Sequence, residues 1–278
     1  VYDNTPPGVG TVNAPDYASG AGISVGYTAA VDGGSGVSSY RLWYKYGDSG
    51  AWTEYATSLN LTTGGNVTLG LQVPQSSNGR YYFDLRACDL AGNCSAEPTG
   101  NGQDSTIFDT VAPMNGTATS PAYSKWPVTV NYSGASDSLS GIDIVRLYYK
   151  KGSGGWTAST LTSSGSSGSF SYTGSGDGTY YFAVLAKDKA GNTGTLPSGT
   201  GDTTTLVDNV MPTVGGISVP GMTRTVPISV AYTGCSDNAG GSGIDAVKLW
   251  YKYGDSGVWT DSSLSSAAGN GNFTFVGV

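Results

Sequence analysis

Apolar and polar side chains alternate along residues 40–45, Tyr-Arg-Leu-Trp-Tyr-Lys, and the same alternation returns twice further down the chain. A period of two marks a strand with one buried face. It places Tyr40, Leu42 and Tyr44 inward, as it does Val145, Leu147 and Tyr149 and then Val247, Leu249 and Tyr251. The outward positions carry an aromatic ring between two cations each time: Arg41, Trp43, Lys45; Arg146, Tyr148, Lys150; Lys248, Trp250, Lys252. A second run puts Tyr81, Phe83, Leu85 and Ala87 inward and Tyr82 outward, matched by Tyr180, Phe182, Val184 and Ala186 with Tyr181 outward. No stretch has an apolar stripe at helical spacing, and none approaches the roughly 18 apolar residues of a membrane span.

These strands belong to a larger repeat. The run Val25-Gly-Tyr-Thr-Ala-Ala-Val-Asp32 returns as Val130-Asn-Tyr-Ser-Gly-Ala-Ser-Asp137 and as Val230-Ala-Tyr-Thr-Gly-Cys-Ser-Asp237, and such landmarks recur every 100 to 105 positions. That period belongs to tandem domains rather than to a short-repeat solenoid. Asp3-Asn-Thr-Pro-Pro7, Asp109-Thr-Val-Ala-Pro113 and Asp208-Asn-Val-Met-Pro212 open the copies. Proline suits a junction because it fixes φ and cannot continue a ladder. The expected units are 1–108, 109–207 and 208–278. Seven short strands per unit, with turn residues every 8 to 12 positions, predict an all-β chain of β-sandwiches. Aligned on Trp259, the third copy reaches Phe273-Thr-Phe275 where the others approach Tyr-Tyr-Phe, so its sixth and seventh strands, F and G, are expected to be missing. A sandwich opened in this way exposes core and strand edges. The expectation is that the array continues in further repeats or that another subunit supplies the strands.

Composition narrows the function. With 13 Lys plus Arg against 20 Asp plus Glu, the net charge is −7, a poor basis for nucleic-acid affinity, which rests largely on cations at phosphates. There is no His, so a Ser-His-Asp or Cys-His arrangement is excluded. Glu occurs only at 54 and 97, and the Asp residues sit in repeated turns. Nothing matches the logic of a nucleophile with its base, and the chain is read as having no catalysis.

The Asp-x-x-x-Pro openings, the Asp-x-x-Ser-Gly-Ile turn and the pair Asp89-Leu-Ala-Gly-Asn93 and Asp188-Lys-Ala-Gly-Asn192 carry a family likeness. The copies resemble bacterial Ig-like or fibronectin-type-III-like repeats of prokaryotic cell-surface proteins. Asp177-Gly-Thr-Tyr180-Tyr-Phe182 is similar to the tyrosine corner of such domains. The resemblance covers the whole chain and implies an architecture, not an activity.

In an Ig-like sandwich the start of strand A, the B–C loop and the F–G loop lie at one end. That end would gather Asp3, Asp32, Asp89 and Asn93 in the first copy, Asp109, Asp137, Asp188 and Asn192 in the second, and Asp208 with Asp237 in the third. These are hard oxygen ligands of the kind Ca²⁺ uses, and the resemblance to surface adhesins, whose repeats can bind calcium where domains meet, supports calcium stiffening the junctions. The alternative is turn chemistry, in which Asp and Asn bond nearby backbone while Gly92 and Gly191 supply positive φ.

Strands C and F are neighbours in such a fold, so Trp43 with Tyr82, and Tyr148 with Tyr181, should share a face, with Trp250 the counterpart in the third copy. A repeated aromatic patch is a contact surface for a protein chain or a sugar ring. The alternative is a solvated face on which the rings lie between Arg and Lys stems. Cys88 and Cys94 flank the first Asp-x-Ala-Gly-Asn turn, and the second copy replaces both, with Lys187 and Thr193. Joint loss is what a disulfide clasp predicts, and such a bond belongs to an oxidising exterior. Two free thiols are the other reading. Cys235 has no partner in its copy. Asn-x-Ser/Thr sequons stand at Asn60, Asn66, Asn93, Asn115, Asn131 and Asn272, where about three would arise by chance, weak support for glycosylation.

The expected function is a structural segment of an extracellular, cell-surface protein. It would be a rod for assembly or adhesion, partnered by copies of itself or further repeats. The rival is a carbohydrate-binding accessory array of a secreted enzyme, using the outward Trp and Tyr on surface glycans.

Overall fold

Alternation becomes sheet in all three copies of the computed structural model, which describes residues 2–20, 22–55, 59–60, 64–70 and 77–277. Val1 and Val278, the outer limits of the expected units, lie outside the described residues. The first copy runs β1 (Val12–Asn13), β2 (Tyr17–Ala18), β3 (Gly22–Tyr27), β4 (Val37–Tyr46), β5 (Thr53–Tyr55), β6 (Gly65–Gly70), β7 (Gly79–Asp89) and β8 (Asp104–Phe108). These strands form two sheets, β1-β3-β6 and β2-β8-β7-β4-β5. The second copy repeats the plan with β9 (Thr117–Thr119), β10 (Tyr123–Ser124), β11 (Val128–Ser133), β12 (Ile142–Lys151), β13 (Thr157–Ser163), β14 (Ser167–Tyr172), β15 (Gly178–Asp188) and β16 (Thr203–Val207). Its sheets are β9-β11-β14 and β10-β16-β15-β12-β13. Strand order and Greek-key connections are those of an immunoglobulin-like sandwich, and no helix occurs among the described residues.

Among the described residues each of the first two copies has eight strands where alternation gave seven, because the first strand divides. Pro15 and Pro121 interrupt it, lacking the N–H that would extend the ladder. The chain then crosses to the other sheet, where β2 and β10 pair in parallel with β8 and β16.

The third copy contains β17 (Gly216–Ser218), β18 (Ile228–Thr233), β19 (Val247–Tyr251), β20 (Thr260–Ser266) and β21 (Gly271–Phe275), paired as β17-β18-β21 and β19-β20. The counterparts of β15 and β16 are absent among the described residues, and so is that of β10, whose partner would be the last strand. The consequence appears in the core. The second copy buries fourteen residues around Val128, Leu147 and Phe182, whereas the third buries Val230, Tyr232, Cys235, Leu249 and Phe273.

The inward assignments follow the pleat. Tyr40, Leu42, Tyr81, Phe83, Leu85 and Ala87 are buried, with Tyr44 packed at the margin of the same core. Tyr180 donates its hydroxyl to the Ser175 and Gly176 carbonyls at 2.7 and 3.1 Å, the bond of a tyrosine corner. Tyr81 does the same to Ser77 at 3.1 Å.

Candidate functional site

Two carboxylate clusters stand at the end where the chain enters each complete sandwich. Asp3, Asp32 and Asp89 form one and Asp109, Asp137 and Asp188 the other, each bringing one oxygen per residue within 4.8 Å of the rest. The F–G turn builds both in the same way. Asp188 accepts the Asn192 backbone N–H on Oδ1 and the Asn192 amide on Oδ2, both at 2.8 Å, and that amide also donates to the Asp109 carbonyl at 2.9 Å. Asp89 and Asn93 repeat the two 2.8 Å bonds, with the amide reaching the Asp3 carbonyl at 3.1 Å. Gly92 and Gly191 close the turns at φ 94° and 98°, a region favourable to glycine.

The B–C loop supplies the third acid. Asp137 Oδ1 accepts the N–H groups of Leu139 and Gly141 at 3.0 and 2.8 Å. Burial opposes its ionisation, but those N–H groups and the Ser140 hydroxyl outweigh it and hold the carboxyl below the usual range. The stability this carboxylate lends is therefore present above the unfolded pKa, and it fades as pH falls through the folded one. Asp32 takes Gly34 and Gly36 on Oδ2. The third copy keeps part of the arrangement. Asp208 accepts the Ser242 and Val210 N–H groups, which lower its pKa, and Asp237 accepts Gly243. It has no F–G pair among the described residues, and Asp237 Oδ1 is buried without a hydrogen-bond partner there.

Asp109 belongs to two copies at once. Its N–H donates to the Ala18 carbonyl of the first copy, while its carboxylate accepts Val111 and Ser140 N–H groups of the second at 2.9 and 3.1 Å. Asp208 repeats the device between the second and third copies, its N–H on the Ser124 carbonyl. The first junction has a further contact. The Ser19 hydroxyl donates to the Ala190 carbonyl at 2.7 Å, and Lys189 lies 5.6 Å from the Tyr17 ring centre. The second F–G turn thus sits on β2 of the copy before it.

The outward aromatics are largely covered. Lys45, read as an outward cation, is 5% exposed; it lies 4.9 Å from the Tyr82 ring and 5.4 Å from Trp52, and donates to the Asp48 carbonyl. Tyr82 is 7% exposed, with its hydroxyl on the Asp48 carboxylate, which raises its pKa. A free patch at Trp43 and Tyr82 is therefore corrected: a long ammonium stem lies flat across its neighbours' rings and covers them. Trp43 is half-buried. Lys150 bridges Tyr181 and Trp156 at 4.7 and 5.3 Å in the same fashion, leaving Tyr148 and Tyr181 half-buried. Trp250 is 51% exposed, because the strand that would flank β19 is absent among the described residues.

Cys88 and Cys94 form a disulfide, and Cys235 is a buried free thiol. Sequence reasoning named Asn115 only as a sequon and missed its structural role: it accepts the Ala186 N–H at 2.9 Å and donates to the Thr195 carbonyl at 2.7 Å, pinning the start of the second copy to β15. The first copy has Val9 at that position, so comparison of the copies points away from it. The side-chain amides of the sequon residues Asn93 and Asn115 are both hydrogen-bonded inside the fold.

No family model matches the chain. A curated relative, Endoglucanase B of Cellulomonas fimi, is 29% identical over 231 residues, covering 80% of this chain and 20% of that protein. The chain thus spans about a fifth of that relative's length. Among solved structures, the FN1-FN3 domains of chicken CNTN1 are 13% identical, with a TM-score of 0.32, covering 98% of this chain and 90% of theirs. Domains A168-A170 from titin are 13% identical, with a TM-score of 0.40, covering 71% and 67%. The Ig-like, fibronectin-type-III-like tandem fold rests on the strand order itself.

Proposed function

We propose that the chain is a non-catalytic spacer, a row of sandwiches whose work is to fix distance and direction in an extracellular surface protein built for assembly or adhesion. The observation that carries this reading is the junction: Asp109 is hydrogen-bonded into both neighbouring copies, and Ser19 and Tyr17 receive the second F–G turn. Such links restrict bending where a flexible linker would permit it. The Cys88–Cys94 disulfide supports an oxidising location. Calcium belongs to the proposal as a counter-ion at the carboxylate clusters. In the second, Asp109 and Asp188 are fully buried, and neither forms a salt bridge among the described residues. The donor set there is all oxygen, as calcium requires.

Small-angle scattering of the whole chain tests the reading. A narrow, extended distance distribution is expected, broadened by Asp109→Ala and tightened or unchanged by calcium. A wild-type distribution as broad as that of freely jointed domains, with or without calcium, would sink it.

A second reading, a carbohydrate-binding accessory array, is favoured by one observation, the 29% identity to a protein named Endoglucanase B. Trp250 and Tyr148 would then be sugar platforms. Binding of the chain to insoluble glucan, lost in Trp250→Ala, would replace the spacer reading with this one.

A further inference from the structure

The outer face of each smaller sheet is built from strands without a charged residue. In the second copy it is formed by Thr117 and Thr119 of β9, Thr129, Asn131 and Ser133 of β11, and Ser167, Ser169 and Ser171 of β14, all exposed and none charged. The cations and carboxylates of the strands collect instead on the larger sheet, as with Arg41 and Glu54 or Arg146 and Lys150. Ladder register singles out one point on the uncharged face. Gly26 pairs with Asn66 in the first copy, Asn131 with Ser169 in the second, and Ala231 with Asn272 in the third. Val25 and Tyr27 correspond to Val130 and Tyr132 and to Val230 and Tyr232, so the three cross-strand pairs are the same position in the fold. In every copy one member of the pair is the asparagine of a sequon and the other is a residue no larger than serine.

We propose that this position is an N-glycosylation site in all three copies: Asn66, Asn131 and Asn272 are the acceptors, and the outer face of the smaller sheet is the sugar-bearing side of the array. Period-two geometry prepares each sequon. The middle residue, Val67, Tyr132 or Phe273, is anchored in the core, which turns the asparagine to solvent. Ser133 and Thr274, the sequon hydroxyls of the second and third copies, are exposed on the same face as their asparagines. Among the described residues no hydrogen bond engages any of the three amides. The small cross-strand partner leaves room beside the amide; at Gly26 an added Cβ would stand 3.0 Å from Asn66 Oδ1. The donor is a sugar activated as a glycosyl diphosphate. Asparagine Nδ2 forms a bond to the sugar C1, the bond from C1 to the diphosphate oxygen breaks, and the amide proton leaves with the diphosphate. Asn93 and Asn115 contrast with these sites, because their amide nitrogens donate to Asp89 and Asp3 and to Thr195.

The whole chain, secreted by cells that glycosylate Asn-x-Ser/Thr, tests the site independently of the spacer reading. Amide-cleaving glycosidase in ¹⁸O water marks each occupied asparagine as heavy aspartate, read by peptide mapping. Label at 66, 131 and 272, with 93 and 115 bare, is the expected result. Asn66→Gln with Asn131→Gln and Asn272→Gln should remove the corresponding glycan mass. Thr68→Ala with Ser133→Ala and Thr274→Ala should do the same while leaving the asparagines in place. Bare peptides at the three positions, or label at 93 and 115 equal to theirs, overturns the proposal.

Discussion

The first and second F–G turns perform one task with different chemistry. Both hold Asp and Asn in the same pair of 2.8 Å bonds, and both pass the asparagine amide to the backbone that opens the copy. The first adds the Cys88–Cys94 disulfide, where the second has a plain bridge between Lys187 and Thr193. The geometry is matched without the covalent bond. Hydrogen bonding is therefore enough to shape the turn, and the disulfide adds a second closure of it while also removing loop entropy from the unfolded chain.

The sharpest way to break this comparison is to delete the acid in each turn. Asp188→Ala removes a fully buried carboxylate with two charge-assisted bonds and leaves the Asn192 amide with the Asp109 carbonyl as its remaining partner. A loss of about 3 kcal/mol is expected, read as an earlier urea transition of the second copy. Asp89→Ala removes the same bonds, but the disulfide still closes that turn, so the first copy should lose less. Equal losses would show that the disulfide contributes nothing to holding the turn.

Next in size is the disulfide itself. Replacing Cys88 and Cys94 together by Ser opens a small loop, and the chain-entropy relation gives about 2 kcal/mol for a closure of this length. The urea midpoint of the first copy should fall while the Asp89 and Asn93 bonds persist, visible as continued hydrogen-exchange protection of the Asn93 amide. Loss of that protection would mean that the covalent bond, not the polar clamp, sets the shape.

The comparison was partly legible in the sequence, because alternation and repetition are local signals. Period two placed Leu42, Phe83 and Leu147 inward, and the copies placed the acids of three separate loops at one end. What stayed hidden is what side chains do after they leave the strand. Lys45 alternates as an outward residue and is buried under its neighbours' rings, since direction from the pleat says nothing about cover. Asn93 reads equally well as a sequon and as a turn residue, and the contact with Asp3, ninety positions away, decides between them. Pro15 and Pro121 marked interruptions in the chain, yet the crossing between sheets depends on the partner strand's position, which no local pattern encodes.

The smallest effect separates shape from docking. Leu90 and Lys189 are equivalent residues at the tips of the two turns; Leu90 is 73% exposed, whereas Lys189 lies over Tyr17 of the preceding copy. A partly solvated cation–π contact is worth about 0.5–1 kcal/mol, too little to move either urea transition far. Its removal should act on the angle between copies instead. Lys189→Ala is expected to widen the distance distribution in scattering, or between spin labels on the first and second copies, with both core stabilities unchanged. Leu90→Ala should change neither quantity, because the Leu90 side chain stands mostly in solvent. Identical distributions for Lys189→Ala and the unaltered chain would assign the junction's stiffness to Asp109 and Ser19 alone. The second turn would then dock on the copy before it through the Ala190 carbonyl and not through Lys189.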